Sequence, residues 1–392
     1  MTTTTAAPTA PPDPVGSEPA AKASGGALRG VLLAVAAPLV AAVFALLVSS
    51  LALLASGNAP LEVYAKMLED GTQLRSVLIT INNAVPLYLA GIAVAIGFRM
   101  ALFNIGVEGQ YSLAALLAAS AGAAVQLPMV LHLGFVLLVA VAVGAAWAGV
   151  AAALKVTRGV SEVISTILLN VIAAGIAAYL LAEHLQERVE GSNNSRTPLL
   201  PDTAKFPTLD PLVRALGFEP PQGTRLGGFL VVAVAVGIGY WVLINRSRFG
   251  FEMKAAGLNP WAAMASGVNT KRATVVTLLL SGGVAGLVGL AQVLGTSFSY
   301  GLSFTAGLGF TGIGVALLGR NSPVGIAFAA LLFAFLERSS STLQFIDVPT
   351  EIYVIMQGSI VLSVVVAYEA VRRIAATQAE RAVRRATDRS AA

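Results

Sequence analysis

Long apolar segments, separated by shorter polar ones, follow one another along most of this chain. A membrane-spanning helix needs about 20 mostly apolar residues, because the hydrocarbon core of a bilayer is about 30 Å thick. Segments that approach this length occur ten times, at residues 31–55, 77–98, 103–124, 131–154, 160–182, 228–245, 273–295, 304–319, 322–337 and 350–368. The pattern therefore predicts an all-α, polytopic membrane protein with about ten transmembrane helices.

The basic residues fall in alternate loops of this arrangement. Lys and Arg are enriched in cytoplasmic loops by the positive-inside rule, so these loops mark the cytoplasmic side. They contain Arg99, Lys155, Arg158, Arg246, Arg248, Lys254, Lys271, Arg272, Arg320, Arg372 and Arg373. This topology predicts a multi-pass protein with both termini in the cytoplasm.

Composition divides the chain into a membrane domain and two tails. Residues 1–27 are rich in Thr, Ala and Pro and lack the apolar bulk for a core, so we expect a disordered cytoplasmic tail. The membrane domain is predicted at 28–373, and 374–392 is a basic cytoplasmic tail. Two long loops interrupt the membrane domain. The loop at 184–227 is extracytoplasmic and suits a lid or a receptor-docking surface, and the loop at 246–272 is cytoplasmic.

The overall composition agrees with a membrane location and excludes several kinds of chemistry. Of 392 residues, 56% are hydrophobic and 11% are charged, whereas soluble domains carry about 25% charged residues. The cytoplasmic loops account for the net charge of +5, so we expect no nucleic-acid partner. The absence of cysteine and the presence of two histidines predict no metal or cofactor site. Because no lysine follows a glycine, the phosphate-binding loop of an ATPase is absent, and we expect no enzyme activity.

Glycine interrupts two segments that the apolar pattern places at membrane depth, 103–110 and 304–314. On the predicted topology the helices around the first run in the opposite direction to those around the second. Broken helices in matching positions are typical of transporters built from inverted repeats. We therefore predict two inverted halves, made of spans two to five and seven to ten. Gly282 and Gly286, four residues apart, predict a close approach of two helices.

The cytoplasmic loop at 246–272 contains the signals of one short helix. Asn259 is a good N-cap, Pro260 suits the first helical position, and Gly267 suits the left-handed residue after the last turn. A helix of about two turns is not stable alone and needs a partner surface. The sequence therefore predicts a cytoplasmic docking element.

Polar residues inside the predicted spans are costly unless they face other helices or water. The candidates for a solute pathway are Asn82, Asn83, Asn104, Glu108, Gln110, Glu162, Ser165 and Asn170. The amides either bridge helices or line the pathway. Glu162 either caps its helix or faces the pathway, and Glu108 either lies at a helix terminus or faces the pathway. Three aromatic residues near the outer side are either interfacial anchors or stack on a ring-shaped solute: Phe298, Tyr300 and Phe304.

Several of these stretches resemble a known family. Residues 103–110 (FNIGVEGQ), 161–170 (SEVISTILLN), 256–259 (AGLN) with Ala262, Ala263 and Gly267, and 280–286 (LSGGVAG) resemble permease subunits of bacterial ABC importers in the branched-chain amino acid, ribose and nucleoside superfamily. The second stretch is similar to the nucleoside and simple-sugar branch in particular. The resemblance covers 28–373.

The resemblance implies a set of partners and a role for the docking element. It implies a coupling helix at 259–266, seated in a separate cytoplasmic ATPase, with solute delivered by an extracytoplasmic binding lipoprotein. It also implies a second permease in the bacterial cell membrane, either a shorter one, which would make a heterodimer, or an identical one. The residues expected to couple to the ATPase are Gly257, Asn259, Pro260, Trp261, Ala262, Ala263 and Gly267.

The function expected from the sequence is ATP-driven import of a nucleoside. Import of a simple sugar or a branched-chain amino acid is the alternative within the same class. Two other classes stay open at this point. One is a secondary transporter with Glu108 or Glu162 as a proton site, and the other is a membrane scaffold whose capped helix recruits a cytoplasmic protein.

Overall fold

The structure is a computed structural model and describes residues 43–187, 195–343, 352–364, 366–367, 370, 373 and 377. The predicted tail at 1–27, the first part of the span at 31–55 and most of the tail at 374–392 lie outside the described residues. Contacts between Cα atoms group the chain into one compact unit, Ala41–Val366, and a second unit, Met1–Val40 with Ala367–Ala392. The fold described below is that of the first unit.

Almost all regular structure in the described residues is helical, which confirms the all-α class, and the only strand-like features there are two isolated β-bridges. The helices are α1 Val43–Ala55, α2 Pro60–Gly71, α3 Leu74–Phe98, α4 Val107–Ala123, α5 Met129–Arg158, α6 Glu162–Leu185, α7 Asp210–Ala215, α8 Phe229–Arg246, α9 Arg248–Leu258, α10 Pro260–Ala265, α11 Thr270–Ser297, α12 Leu308–Leu318, α13 Pro323–Leu343 and α14 Ile352–Val364. Both α6 and α11 end in a π-helical turn.

Six of the described helices are long and apolar enough to cross a membrane, namely α3, α5, α6, α8, α11 and α13. The pair α1 and α2 is bent by 110° and brings the number to seven if it counts as one span. The predicted number of about ten is not confirmed, because α4 has 17 residues and α12 has 11. The glycine-containing stretches before these two helices are not helical, so they shorten the predicted spans.

The two predicted inverted halves are α3–α6 and α11–α14. Each half starts with a long helix, which an irregular loop connects to a shorter one, α4 or α12. The long helix of each half packs mainly on the second and third helices of the other half, so α3 lies against α12 and α13 while α11 lies against α4 and α5. The two long helices are antiparallel, because the Ser281 hydroxyl donates to the Ala93 carbonyl and the Thr277 hydroxyl to Met100 Sδ.

Glycine allows the closest of these helix contacts. A Cβ atom at Gly144 of α5 would overlap the carbonyl oxygen of Gly282, and a Cβ atom at Gly286 would overlap the carbonyl oxygen of Ala140. The backbones of α5 and α11 therefore touch directly, as the spacing of the two α11 glycines predicts. The contact fixes the second half against the first.

Candidate functional site

The first turns of α4 and α12 meet at one carboxylate. The side chain of Glu108, in the first turn of α4, accepts hydrogen bonds from the backbone N–H groups of Gly307 at 2.6 Å and Gly309 at 2.9 Å. The hydroxyl of Tyr111 also donates to it, at 3.0 Å. The first N–H groups of a helix have no intrahelical partner, and a helix N-terminus favours negative charge. Glu108 therefore caps α12 from the opposite half of the molecule, which places it at a helix terminus.

The approach of α12 to this carboxylate requires glycine. Gly307 has a φ of +90°, which is the left-handed region, and it directly precedes α12. A Cβ atom at Gly309 would overlap the backbone nitrogen of Glu108. A side chain at either position would separate the two helix starts or strain the turn between them.

A pair of buried amides holds the loop that leads into α4. Asn104 and Gln110, each 1% exposed, exchange two hydrogen bonds of 2.9 Å and 3.0 Å. Asn104 also accepts from the backbone N–H of Gly106 and donates to the hydroxyl of Ser281 on α11. All these partners belong to the protein. Asn104 therefore bridges the two halves through Ser281, and Gln110 holds Asn104 in place.

The face of α6 that packs on α4 completes this support. The Asn170 amide donates to the carbonyl of Ile105 at 2.9 Å and accepts from the N–H of Gly109 at 2.9 Å. The Ser165 hydroxyl donates to the carbonyl of its own helix four residues earlier. Glu162, at the start of α6, forms an ion pair with Lys155 of α5 and accepts weakly from the backbone of the 103–110 stretch. These three predicted pathway residues are therefore all bonded within the protein.

A cavity of about 680 Å³ lies between α3, α11, α13 and residues 206–230, which form the end of the loop predicted to be extracytoplasmic and the start of α8. Three predicted pathway residues line it: Asn82, Asn83 and Phe298. Asn82 also anchors the loop, because its amide donates to the carbonyl of Arg225 at 2.7 Å and accepts from the N–H of Gly227 at 2.9 Å.

The other two predicted aromatic residues do not line this cavity. The rings of Tyr300 and Phe304 contact each other, with centroids 4.5 Å apart, and the Tyr300 hydroxyl is 3.0 Å from that of Ser112 on α4. Two lining residues, Gln292 and Glu337, are not among the predicted pathway residues. In the sequence, each of the two is a polar residue near one end of an apolar span, and this position could have identified them as candidates.

The loop at 246–272, predicted to be cytoplasmic, contains the predicted capped helix. The Asn259 side chain accepts from the N–H groups of Trp261 at 3.0 Å and Ala262 at 3.1 Å, and Pro260 is the first residue of α10. Gly267, just after the helix, has a φ of +86°. A second cap precedes it, because the Ser247 hydroxyl accepts from the N–H of Gly250 at the start of α9.

The residues predicted to couple to an ATPase divide into an inner and an outer group. Ala263 is 3% exposed, and a Cβ atom at Gly257 would lie 2.7 Å from the carbonyl oxygen of Arg99, so both residues pack against the membrane domain. In contrast, Trp261 is 79% exposed, and Leu258, which is not among the predicted residues, is 89% exposed. Together with the exposed Met264, these two side chains form an apolar surface that we call the coupling face.

Helices broken at matching positions, together with a short capped helix that exposes apolar side chains, are features of membrane permeases. A family model described as the permease component of the branched-chain amino acid transport system matches residues 76–365. The chain belongs to this family and is an ABC transporter permease, as the sequence resemblance implies.

Three relatives cover most of the chain. The glucose ABC transporter permease TsgB13 of Haloferax volcanii is 34% identical over 84% of this chain and 87% of its own length. The guanosine ABC transporter permease NupP of Bacillus subtilis is 34% identical over 84% of this chain and 93% of its own. The nucleoside ABC transporter permease NupB of Lactococcus lactis is 30% identical over 84% of this chain and 90% of its own. No solved structure matches the chain at a significant level.

Proposed function

We propose that this permease carries nucleosides into the cell, driven by ATP hydrolysis in a separate subunit, with simple sugars as the second candidate substrate. The names of two of the three relatives point to nucleosides, and the third, named for glucose, is equally similar. Nucleosides and simple sugars share a ring that carries several hydroxyl groups. Hydroxylated ring solutes are therefore the proposed substrate class, with nucleosides as the first candidate.

The observation that carries the ATP-driven mechanism is the coupling face, which the last residue of α9 and the helix α10 form together. This helix has six residues, is capped at both ends and presents a nearly fully exposed tryptophan. So short a helix is held by its caps and its packing, and an exposed apolar cluster on a folded domain marks an interaction site. The flanking basic residues, Arg248 and Lys271, favour a cytoplasmic position for this surface. A cytoplasmic ATPase that receives Trp261, Leu258 and Met264 in a groove fits these features.

Three further features of the assembly belong to the proposal. The resemblance supports a second permease as the other wall of the pathway and a binding lipoprotein that meets the outer loop at 184–227. The distribution of basic residues supports cytoplasmic termini for a protein of the bacterial cell membrane. A proton-driven mechanism has less support, because Glu108 and Glu162 are both occupied by hydrogen bonds or an ion pair within the protein.

Uptake of radiolabelled solute by cells that lack this permease tests the proposal. Loss of nucleoside uptake is expected, with retention of sugar and branched-chain amino acid uptake. Loss of sugar uptake alone would move the substrate to the second candidate, and no loss of either would overturn import of this solute class. Collapse of the membrane potential at constant ATP should leave uptake unchanged.

A pair of matched variants tests the coupling face. Trp261→Asp places a charge on this face, whereas Phe218→Asp places one on an exposed aromatic position of the outer loop. We expect normal amounts of both variants in the membrane, with uptake abolished only by Trp261→Asp. Normal uptake by the Trp261 variant would show that α10 does not transmit the ATPase motion.

A further inference from the structure

We propose that the cavity between α3, α11 and α13 is an outer binding site for a neutral, hydroxyl-rich solute, in which Glu337 and Asn83 contact the solute directly. The inference rests on the proposed import function and assigns solute contacts within this single permease chain. Residues 206–230, the end of the outer loop and the start of α8, form one wall, so on the charge-based topology the cavity lies on the extracytoplasmic side. Its volume of about 680 Å³ suits a small molecule, because such sites enclose about 300–1,000 Å³.

Two polar side chains of the cavity have no partner among the residues that the structure describes. Glu337 of α13 and Asn83 of α3 both line it, and neither side chain forms a hydrogen bond or ion pair with the residues that the structure describes. A carboxylate and an amide inside apolar spans are costly unless water or a ligand satisfies them. Of the predicted pathway residues with amide or carboxylate side chains, Asn83 alone has a side chain without a hydrogen bond to another described residue.

Broken backbone supplies further polar groups to the same cavity. Pro86 lies inside α3 and lines the cavity, and because proline has no N–H, the carbonyl of Asn82 lacks its helical donor. On the opposite wall, α11 is interrupted by a turn at 287–289, and Val288 and Gly289 line the cavity there. Irregular backbone at membrane depth is tolerated where it lines a water-filled cavity, and transporters use it to bind solutes.

An aromatic residue with unusual geometry forms part of the wall. Phe298 has a φ of +53°, a left-handed conformation that is strained for a bulky side chain. Its carbonyl accepts from the N–H of Leu200 at 2.8 Å, and the ammonium of Lys205 lies 4.9 Å from the centre of its ring. Strain that surrounding contacts maintain is typical of functional sites. Phe206 and Phe229 add two more rings to the lining.

The charges at the cavity favour a neutral solute. Glu337 is acidic, whereas Arg75 and Arg225, which also line the cavity, are basic, so a charged solute of either sign meets at least one group of like sign. Hydroxyl groups both donate and accept hydrogen bonds, so they match carboxylate acceptors, guanidinium donors and amides at the same time. The aromatic rings suit the apolar face of a sugar or base. A nucleoside or simple sugar has this combination.

Because the chain has no cysteine, a single introduced thiol can report whether a solute occupies the cavity. Thr296→Cys puts a single thiol in the cavity wall, and Glu219→Cys puts one on the exposed outer loop as a control. Both variants are treated, in membranes that contain the whole transporter, with a membrane-impermeant maleimide, with and without guanosine or glucose. At a concentration about tenfold above the Kd, bound solute should slow labelling at position 296 about tenfold. Labelling at position 219 should not change.

A second substitution tests the assigned contact. In the Thr296→Cys background, Glu337→Gln should abolish the protection by solute, whereas Glu219→Gln should preserve it. Labelling at position 296 that neither solute slows, or no labelling there at all, would overturn the site. Protection that persists with Glu337→Gln would overturn the role of Glu337. Protection is measured without transport, so failure of nucleoside and sugar uptake in cells would overturn the proposed function independently of this site.

Discussion

Replacement of Glu108 by glutamine should loosen the junction between the two halves. The carboxylate accepts two backbone N–H groups from the start of α12 and one hydroxyl, at 2.6 to 3.0 Å. The amide of glutamine keeps one acceptor oxygen and faces the other N–H with a donor, so at least one charge-assisted bond is lost. Such a bond contributes about 1.5–3 kcal/mol, and the charge at a helix N-terminus adds about 0.3–1 kcal/mol.

Glu108 is partly exposed, so the lower part of this range applies, and we expect Glu108→Gln to reduce stability by about 2 kcal/mol. Glu108→Ala removes both backbone bonds and should cost about twice as much. The midpoint of thermal aggregation of the permease in detergent measures the effect, with Glu62→Gln on the exposed face of α2 as the matched control. Equal midpoints for Glu108→Gln and the unaltered protein would refute the role of this carboxylate as a cap between the halves.

Three other predictions follow from individual contacts. Gly286→Ala would put a methyl group onto a carbonyl oxygen of α5, so it should lower the same thermal midpoint by an amount that corresponds to about 1–3 kcal/mol. Gly175→Ala on the open face of α6 should not lower it, because alanine favours a helix more than glycine does. Asn82→Ala removes both bonds to the outer loop and should speed tryptic cleavage at Arg225 from the outside; an unchanged cleavage rate would contradict the anchoring role. The pKa of Asp202 is lowered by its hydrogen bond to Lys205. The pair therefore stabilises the fold above the pKa of the unfolded carboxyl, and this stabilisation is lost as the pH falls through the lower pKa of the folded state. A carboxyl-carbon NMR titration should show this low midpoint.

Features that depend on local sequence are predicted correctly. The caps of α10 follow from three residues within nine positions, and the structure reproduces each of them. The close contact through Gly282 and Gly286 follows from their spacing along one helix face. In all these cases the relevant interactions lie within a few residues of one another, or depend on one periodic pattern.

Features that depend on the rotation of a helix are not available from the sequence. Asn83 and Asn104 both look like polar residues in apolar spans, but the first lines a cavity while the second is bonded to another amide and to α11. Gly257 and Trp261 belong to one predicted docking motif, but they face opposite ways. The length of α12 depends on where its glycine-containing loop ends, which the cap from Glu108 determines across the two halves.

The stretch from Arg99 to Glu108 connects the loop at 246–272 to the second half of the molecule. At one end, Met100 and Leu102 pack with Ala263 of α10 in a single apolar cluster. Arg99 donates to the Asn321 carbonyl at 2.6 Å, in the turn after α12, and Glu108 caps the start of α12. Both ends of α12 are therefore bonded to this one stretch. If the proposed ATPase displaces α10, the stretch must move or lose its packing on Ala263. Because the stretch is bonded to both ends of α12, its movement would shift α12 or break these bonds.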